Sequence, residues 1–298
     1  MFPALIYSIT PNLVLQGLAD GLLLGGVYGL LAMGLSLCYG VTRVSNSAHA
    51  AFAILGAMIS FSIFTLFGLD PILSIAIPVV ALFCLGILTY KILIKKVINL
   101  PAMTSFTLTF FLAFLIENSM VLIWHNEYRA IVTSYAGTSF GIGGISLSIP
   151  KFVTFLMAIL CLVVLSVFIR KTYTGKAMRA LSQNRTASYL MGVNVDRLYM
   201  LTFAIALASG GAAGAFMSVI YTFYPSIQSI WIAKLYVIVT IGGMGSIMGS
   251  LVTALLIGIL EATVGVFIPS MWASVIMWLL LLFVLLVRPE GLFGGRKK

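Results

Sequence analysis

The run FVTFLMAILCLVVLSVFI, residues 152–169, carries no charge over eighteen positions and leaves a chain few ways to fold. About 20 consecutive apolar residues cross a bilayer as an α-helix, because helical backbone satisfies its own N–H and C=O groups. Comparable runs lie at 12–39, 46–67, 71–91, 103–124, 198–222, 231–245, 247–267 and 272–288. The first is long enough to be divided, and 231–245 is short. Continuous runs differ from the brief alternating segments of a membrane β-barrel. Composition agrees. The 298 residues are 61% hydrophobic and 8% charged, whereas roughly a quarter of a soluble domain is charged. The expected fold is an all-α polytopic membrane protein, one domain over 1–298 with about eight to ten transmembrane helices, some short or broken.

The net charge of +10 does not point to nucleic acid, because Lys and Arg cluster at the ends of apolar runs. The positive-inside rule then makes KILIKK (91–96), Arg170 with Lys171, and the tail RPEGLFGGRKK (288–298) cytoplasmic. Segment 125–150, with one Arg, one Glu and many Gly and Ser, reads as an external loop. Nine crossings with an external N-terminus and a cytoplasmic C-terminus satisfy this pattern, provided that 231–245 crosses. The opening MFPALIYSITPNLVLQ lacks the basic start of a signal peptide. Cys38, Cys84 and Cys161 sit inside apolar runs without metal-ligand or disulfide spacing.

Gly17, Gly21, Gly25 and Gly29 recur every fourth residue and form a ridge on which another helix can approach closely. Gly210/Gly214 and Gly245/Gly249 repeat that spacing. Packing and the lining of a substrate path are both compatible with it. Two polar, flexible interruptions, YGVTRVSNSAHAAF (39–52) and TIGGMGSIMGS (240–250), each precede an apolar helix and form a weak internal repeat. Broken membrane helices line cavities, which makes Asn46, Ser47, His49, Gly242, Gly243, Gly245 and Ser246 candidates for a translocation path. The alternative for Asn46 or Ser47 is a helix cap. Asp20, Glu117, Lys234 and Glu261 are ionisable groups within spans, scattered and without an evident pairing, too few for a proton relay. Glu117 and Lys234 could snorkel to the interface. No phosphate-loop motif occurs, and neither histidine stands in a metalloprotease context, so no enzyme is expected.

Between two greasy spans lies YTGKAMRALSQNRTASYLMGVNVDR (173–197). Residues 170–197 hold six Lys/Arg and one acid, Asp196. Met178, Leu181, Leu190 and Met191 alternate with Lys176, Arg179, Gln183, Asn184 and Arg185, which reads as an amphipathic helix bracketed by Gly175 and Gly192. Such a helix lies on lipid headgroups or docks into a partner.

The stretch GKAMRALSQNRTASYLMGVNVDRLYMLTFAIALASGGAAGA (175–215) resembles the cytoplasmic loop and following span of permease subunits of bacterial ABC importers, in the branched-chain amino acid (LivH/LivM) family. Residues 21–58, 240–261 and 279–294 match the same family in the same order, and the first of these is closer to the H-type subunit. The chain departs from the family at 46–52, reading NSAHAAF where NFAHG and an acid are common. The resemblance implies a non-enzymatic subunit of the bacterial inner membrane. Its partners would be two ATPase subunits that bind ATP and Mg, a second permease chain, a periplasmic substrate-binding protein and membrane lipid. It also implies that the 171–197 loop carries a coupling helix gripped by an ATPase. Lys176, Met178, Arg179, Ala180, Leu181, Asn184, Arg185, Leu190 and Gly192 are the candidate contacts. Related permeases carry urea, short amides or other amino acids, and a stand-alone carrier or channel is the rival from another class.

Overall fold

A computed structural model of the chain describes residues 11–269 and 271–294. The reading of the first ten residues and of the terminal GRKK lies outside them. Of the described residues 77% are helical, with almost no strand. The helices are α1 (Pro11–Thr42), α2 (His49–Phe67), α3 (Ala76–Thr89), α4 (Lys95–Val97), α5 (Ala102–Trp124), α6 (Ile149–Lys171), α7 (Tyr173–Gln183), α8 (Arg185–Leu190), α9 (Val195–Ile220), α10 (Gln228–Gly242), α11 (Ile247–Phe267) and α12 (Met271–Val287). A π-helical turn, Tyr90–Ile94, joins α3 to α4 in one rod. Among the described residues eight rods are long and apolar enough to cross a membrane, and α12, at 17 residues, is shorter. The expected run at 231–245 corresponds to Pro225–Gly242, lengthened at its start by a 3-10 turn at Pro225–Ile227.

The glycine ridge explains why α1 sits at the centre. Of its most apolar window 89% is buried, against 22% for α5 and α6. A Cβ on Gly21 would lie 2.5 Å from the Ile259 Cα and 2.6 Å from the Gly258 carbonyl oxygen, and one on Gly25 2.8 Å from the Leu255 Cα. Backbone-to-backbone packing of α1 on α11 is therefore possible only without side chains there. At Gly29 the nearest obstacle is a movable side-chain atom, the Leu251 Cδ1. The second buried rod, α9, uses the same device. A Cβ on Gly211 would lie 2.8 Å from the Pro78 carbonyl oxygen of α3, Gly214 abuts the Ala53 carbonyl of α2, and a Cβ on Gly86 of α3 would lie 2.6 Å from the Ala204 Cα. In lipid, where no hydrophobic effect drives helices together, such close approach supplies the dispersion contacts that hold them.

Contacts sort the rods by direction. At one end Lys95 pairs with Asp196 at 2.8 Å, and Arg185 donates to Asn99 at 2.9 Å. The Leu292 amide donates to the Ile241 carbonyl at 2.7 Å, bringing the segment after α12 to the same end. At the other end Arg129 and Phe223 form a β-bridge, and Lys151 pairs with Asp20 at 2.8 Å. The described parts of the three basic clusters, to which the tail contributes Arg288, thus share one end of the bundle.

The segment read as a plain loop, 125–150, contains a hairpin of β1 (Ser139–Ile142) and β2 (Ile145–Ser148). Its two-residue turn, Gly143 and Gly144, has φ of 59° and 86°, which suits a primed turn. The Gln16 side-chain amide donates to the Ser146 carbonyl at 2.7 Å and accepts its N–H at 2.8 Å, pairing with β2 as a third strand would.

Candidate functional site

The basic stretch folds as two helices rather than one. The Thr172 hydroxyl accepts the Gly175 N–H at 3.0 Å and caps α7. Gly175 is no breaker: it is buried in the first turn, where a Cβ would lie 2.5 Å from the Ile169 Cα, so it permits the sharp bend from α6 into α7. The helix breaks at Asn184, whose extended backbone (φ −150°) and side-chain oxygen, accepting the Ala187 N–H at 2.9 Å, start α8. Gly192, at φ 78°, ends it as expected.

The apolar face of α7 also points elsewhere than expected. Met178 and Leu181 are buried in the chain's own core, so they are not free to enter a partner's groove. What α7 and α8 present outward is Lys176, Arg179, Ala180, Asn184, Arg185, Leu190 and Gly192, with Tyr189 and Met191, which are 70% and 82% exposed. Beside them a cleft of about 1020 Å³, lined by Tyr90, Lys95, Arg185, Tyr189 and Leu190 among others, separates α8 from the π turn and α4. The Arg185 guanidinium stands 5.6 Å from the Tyr199 ring centroid at its wall, a cation–π contact.

The two polar interruptions meet at this same end. A Cβ on Gly245 would lie 3.0 Å from the Gly40 Cα, so the α10–α11 turn rests on the last turns of α1. Gly243 (φ 90°) is covered by the segment after α12, with the Gly294 amide 2.5 Å from where its Cβ would be. The Ser246 hydroxyl caps α11 by accepting the Gly249 N–H at 3.2 Å. Gly245 and Ser246 share a cleft of about 340 Å³ with Arg179 and Ser182 of α7, while Gly242 is buried.

In the other turn neither Asn46 nor Ser47 caps α2 as its first residue; Ala48 holds that place without a side-chain bond. The Asn46 side-chain oxygen instead accepts the Ala48 N–H at 3.1 Å and closes the turn. Asn46 and His49 have no accessible surface, and the His49 Nε2 lies 3.1 Å from the Leu31 carbonyl oxygen. Neither lines a path in this conformation. Ser45 and Ser47 reach the Tyr236 hydroxyl of α10 at 3.1 and 3.0 Å, so α10 and the turn are tied by hydroxyl groups that sequence spacing did not reveal.

The ionisable groups within spans are paired, contrary to expectation. Lys234 donates to both Glu261 carboxylate oxygens at 2.8 and 2.9 Å and to the Tyr28 hydroxyl at 3.2 Å. Its ammonium lies 4.8 Å from the ring centroids of both Tyr28 and Trp231. The Tyr28 hydroxyl donates to Glu261 at 2.9 Å and is 2.8 Å from the Tyr221 hydroxyl. One ion pair thus joins α1, α10 and α11 with the chain just after α9, and Lys234 does not snorkel to an interface. Asp20 pairs with Lys151, and Glu117 accepts from the Gln228 side-chain amide at 2.9 Å. No cluster of three or more potential metal ligands exists among the described residues.

A bundle of apolar rods with a partly buried ion pair joining α1, α10 and α11, and with exposed basic helices at one end, defines an all-α polytopic membrane protein. The chain belongs to the family of permease components of branched-chain amino acid transport systems, whose model matches residues 17–285. It is 28% identical to the high-affinity branched-chain amino acid transport system permease protein BraD of Pseudomonas aeruginosa, over 94% of this chain and 95% of that protein. Identity to LivH of Escherichia coli K12, which bears the same description, is 27% over 94% and 95% of the two chains. A probable LivH of Methanocaldococcus jannaschii is 26% identical over 99% and 96%. No solved structure matches the chain.

Proposed function

We propose that this chain is a translocation subunit of an ABC importer that moves branched-chain amino acids across a bacterial inner membrane, with its basic end and C-terminus in the cytoplasm. Family membership along nearly the whole chain is the observation that carries this reading. Two ATPase subunits would bind ATP and Mg, a second and different permease chain would complete the path, and a periplasmic binding protein would deliver the substrate. The positive-inside rule supports the orientation.

The exposed face of α7 and α8 is where an ATPase docks in this proposal. Lys176, Arg179, Ala180 and Arg185 meet it, and Tyr189 and Leu190 supply apolar anchors. Met178 transmits rather than docks: it shares a small cavity with Leu37 and Val41 of α1, Ile169 of α6 and Gly245 of the α10–α11 turn. A displacement of α7 is passed through packed side chains to the ends of α1 and α11, and so to the rods that alternate between outward and inward access.

Deleting this chain is expected to abolish ATP-dependent uptake of leucine, isoleucine and valine while leaving passive leakage unchanged. Uptake of urea or short amides that disappears instead overturns the cargo, and transport by the purified chain alone without ATP overturns the class. Arg179→Glu and Ala180→Arg should each insert normally yet lower uptake by more than about tenfold, the effect of a lost charge-assisted contact or a steric block in a docking surface. Unchanged uptake in both would remove the coupling role from α7.

A further inference from the structure

Rods α3 and α6 both pack on α9 but leave a groove between them of about 630 Å³. Phe83 of α3 forms one wall, Val164 and Phe168 of α6 the other, and Leu201 and Ala208 of α9 the floor. The lip carries residues exposed on the outside of the bundle, Leu160 at 53% and Val164 at 61%, so the groove faces the surrounding hydrocarbon. No charged residue lines it, and a zwitterionic substrate would find no partner there. Its volume is that of a small-molecule pocket, roughly 300–1000 Å³, rather than the broad flat contact of a second subunit.

The groove does not end blindly. Thr174 of α7 and Leu201 of α9 also line a second cleft, of about 330 Å³, at the basic end. That cleft mixes polar and apolar groups, its one charged lining residue is Arg197, and Tyr173, 82% exposed, stands at its rim. An apolar channel at membrane depth that opens onto a cationic cleft where the chain leaves the membrane matches the two halves of one molecule. We infer that the groove and cleft together bind one anionic phospholipid. An acyl chain lies along α9 between α3 and α6, and the phosphate is held at Arg197. Because Thr174 touches both compartments, the bound lipid braces the start of α7 against α9.

The test is native mass spectrometry of the full-length chain in detergent, offered equimolar dioleoyl phosphatidylglycerol and dioleoyl phosphatidylcholine. The wild type should retain phosphatidylglycerol preferentially. Arg197→Gln, at an exposed position, should reduce that preference roughly fivefold, the effect of one basic residue facing an anionic lipid. Ala208→Phe, which fills the floor, should abolish the adduct; if it fails to fold, Val164→Trp on the lip serves the same purpose. Equal retention of the two lipids by the wild type, or an adduct that survives filling of the groove, overturns the proposal. In the assembled transporter, phosphatidylglycerol carrying a photoreactive acyl chain should label residues 160–168 and 201–212. Cross-linking from Cys161 to a second permease chain would show the groove to be a subunit interface and overturn it as well.

Discussion

Glu261→Ala should lower the thermal midpoint of the purified chain by about 10 °C, because it leaves the Lys234 ammonium enclosed by Tyr28 and Trp231 without its counter-charge. The Lys234 side chain is only 12% exposed and the Glu261 side chain 26%, so water replaces a lost carboxylate only in part. Breaking such a pair is costly, whereas replacing both members by apolar groups is often neutral. The double variant Lys234→Met/Glu261→Leu should therefore recover most of the loss. A midpoint unchanged in Glu261→Ala, followed by fluorescence-detected chromatography across a temperature series, would show that the pair does not hold α1, α10 and α11 together.

Gly21→Leu should prevent accumulation of folded protein, while Gly29→Ala should be tolerated with a small loss. The contrast follows from what each new side chain would meet. At Gly21 the obstacle is the backbone of α11 at 2.5–2.6 Å, which can yield only if the two rods separate. At Gly29 it is the end of a leucine that can change rotamer. Overpacking costs about 1–3 kcal/mol when side chains can adjust and more when they cannot. Quantifying monodisperse protein after membrane extraction tests this, and similar yields from the two variants would contradict the assigned packing of α1 on α11.

The spans were legible in the sequence because hydrocarbon imposes length and apolarity on each segment separately. The ridge on α1 was legible because four glycines at intervals of four mark one helix face. Gly86 of α3 and Gly56 of α2 do comparable work in close approach to α9 but stand alone in their helices, and a single glycine names no face. The pairs Asp20–Lys151 and Lys234–Glu261 were not legible, since their members lie 131 and 27 residues apart and only packing joins them. The break at Asn184 was readable in principle: an Asn ahead of a short helical run is a cap signal. Amphipathic spacing masked it, and spacing alone did not say that Met178 and Leu181 face inward. Gly143-Gly144 likewise announced a hairpin in a segment whose composition suggested only a loop.

The position of α1 has a consequence for how the chain is made. Of the described rods it is made first, yet α9 and α11, which cover its glycines, are among the last of them. Until α11 arrives, the ridge at Gly21 and Gly25 faces lipid and Tyr28 lacks Glu261. Helices made in between can occupy that surface wrongly, as incomplete packing allows in multi-span chains. Assembly of this protein is thus decided when α11 is made: truncation before residue 247 should leave membrane-inserted helices without a centre, and a target for quality-control proteases rather than a smaller stable bundle.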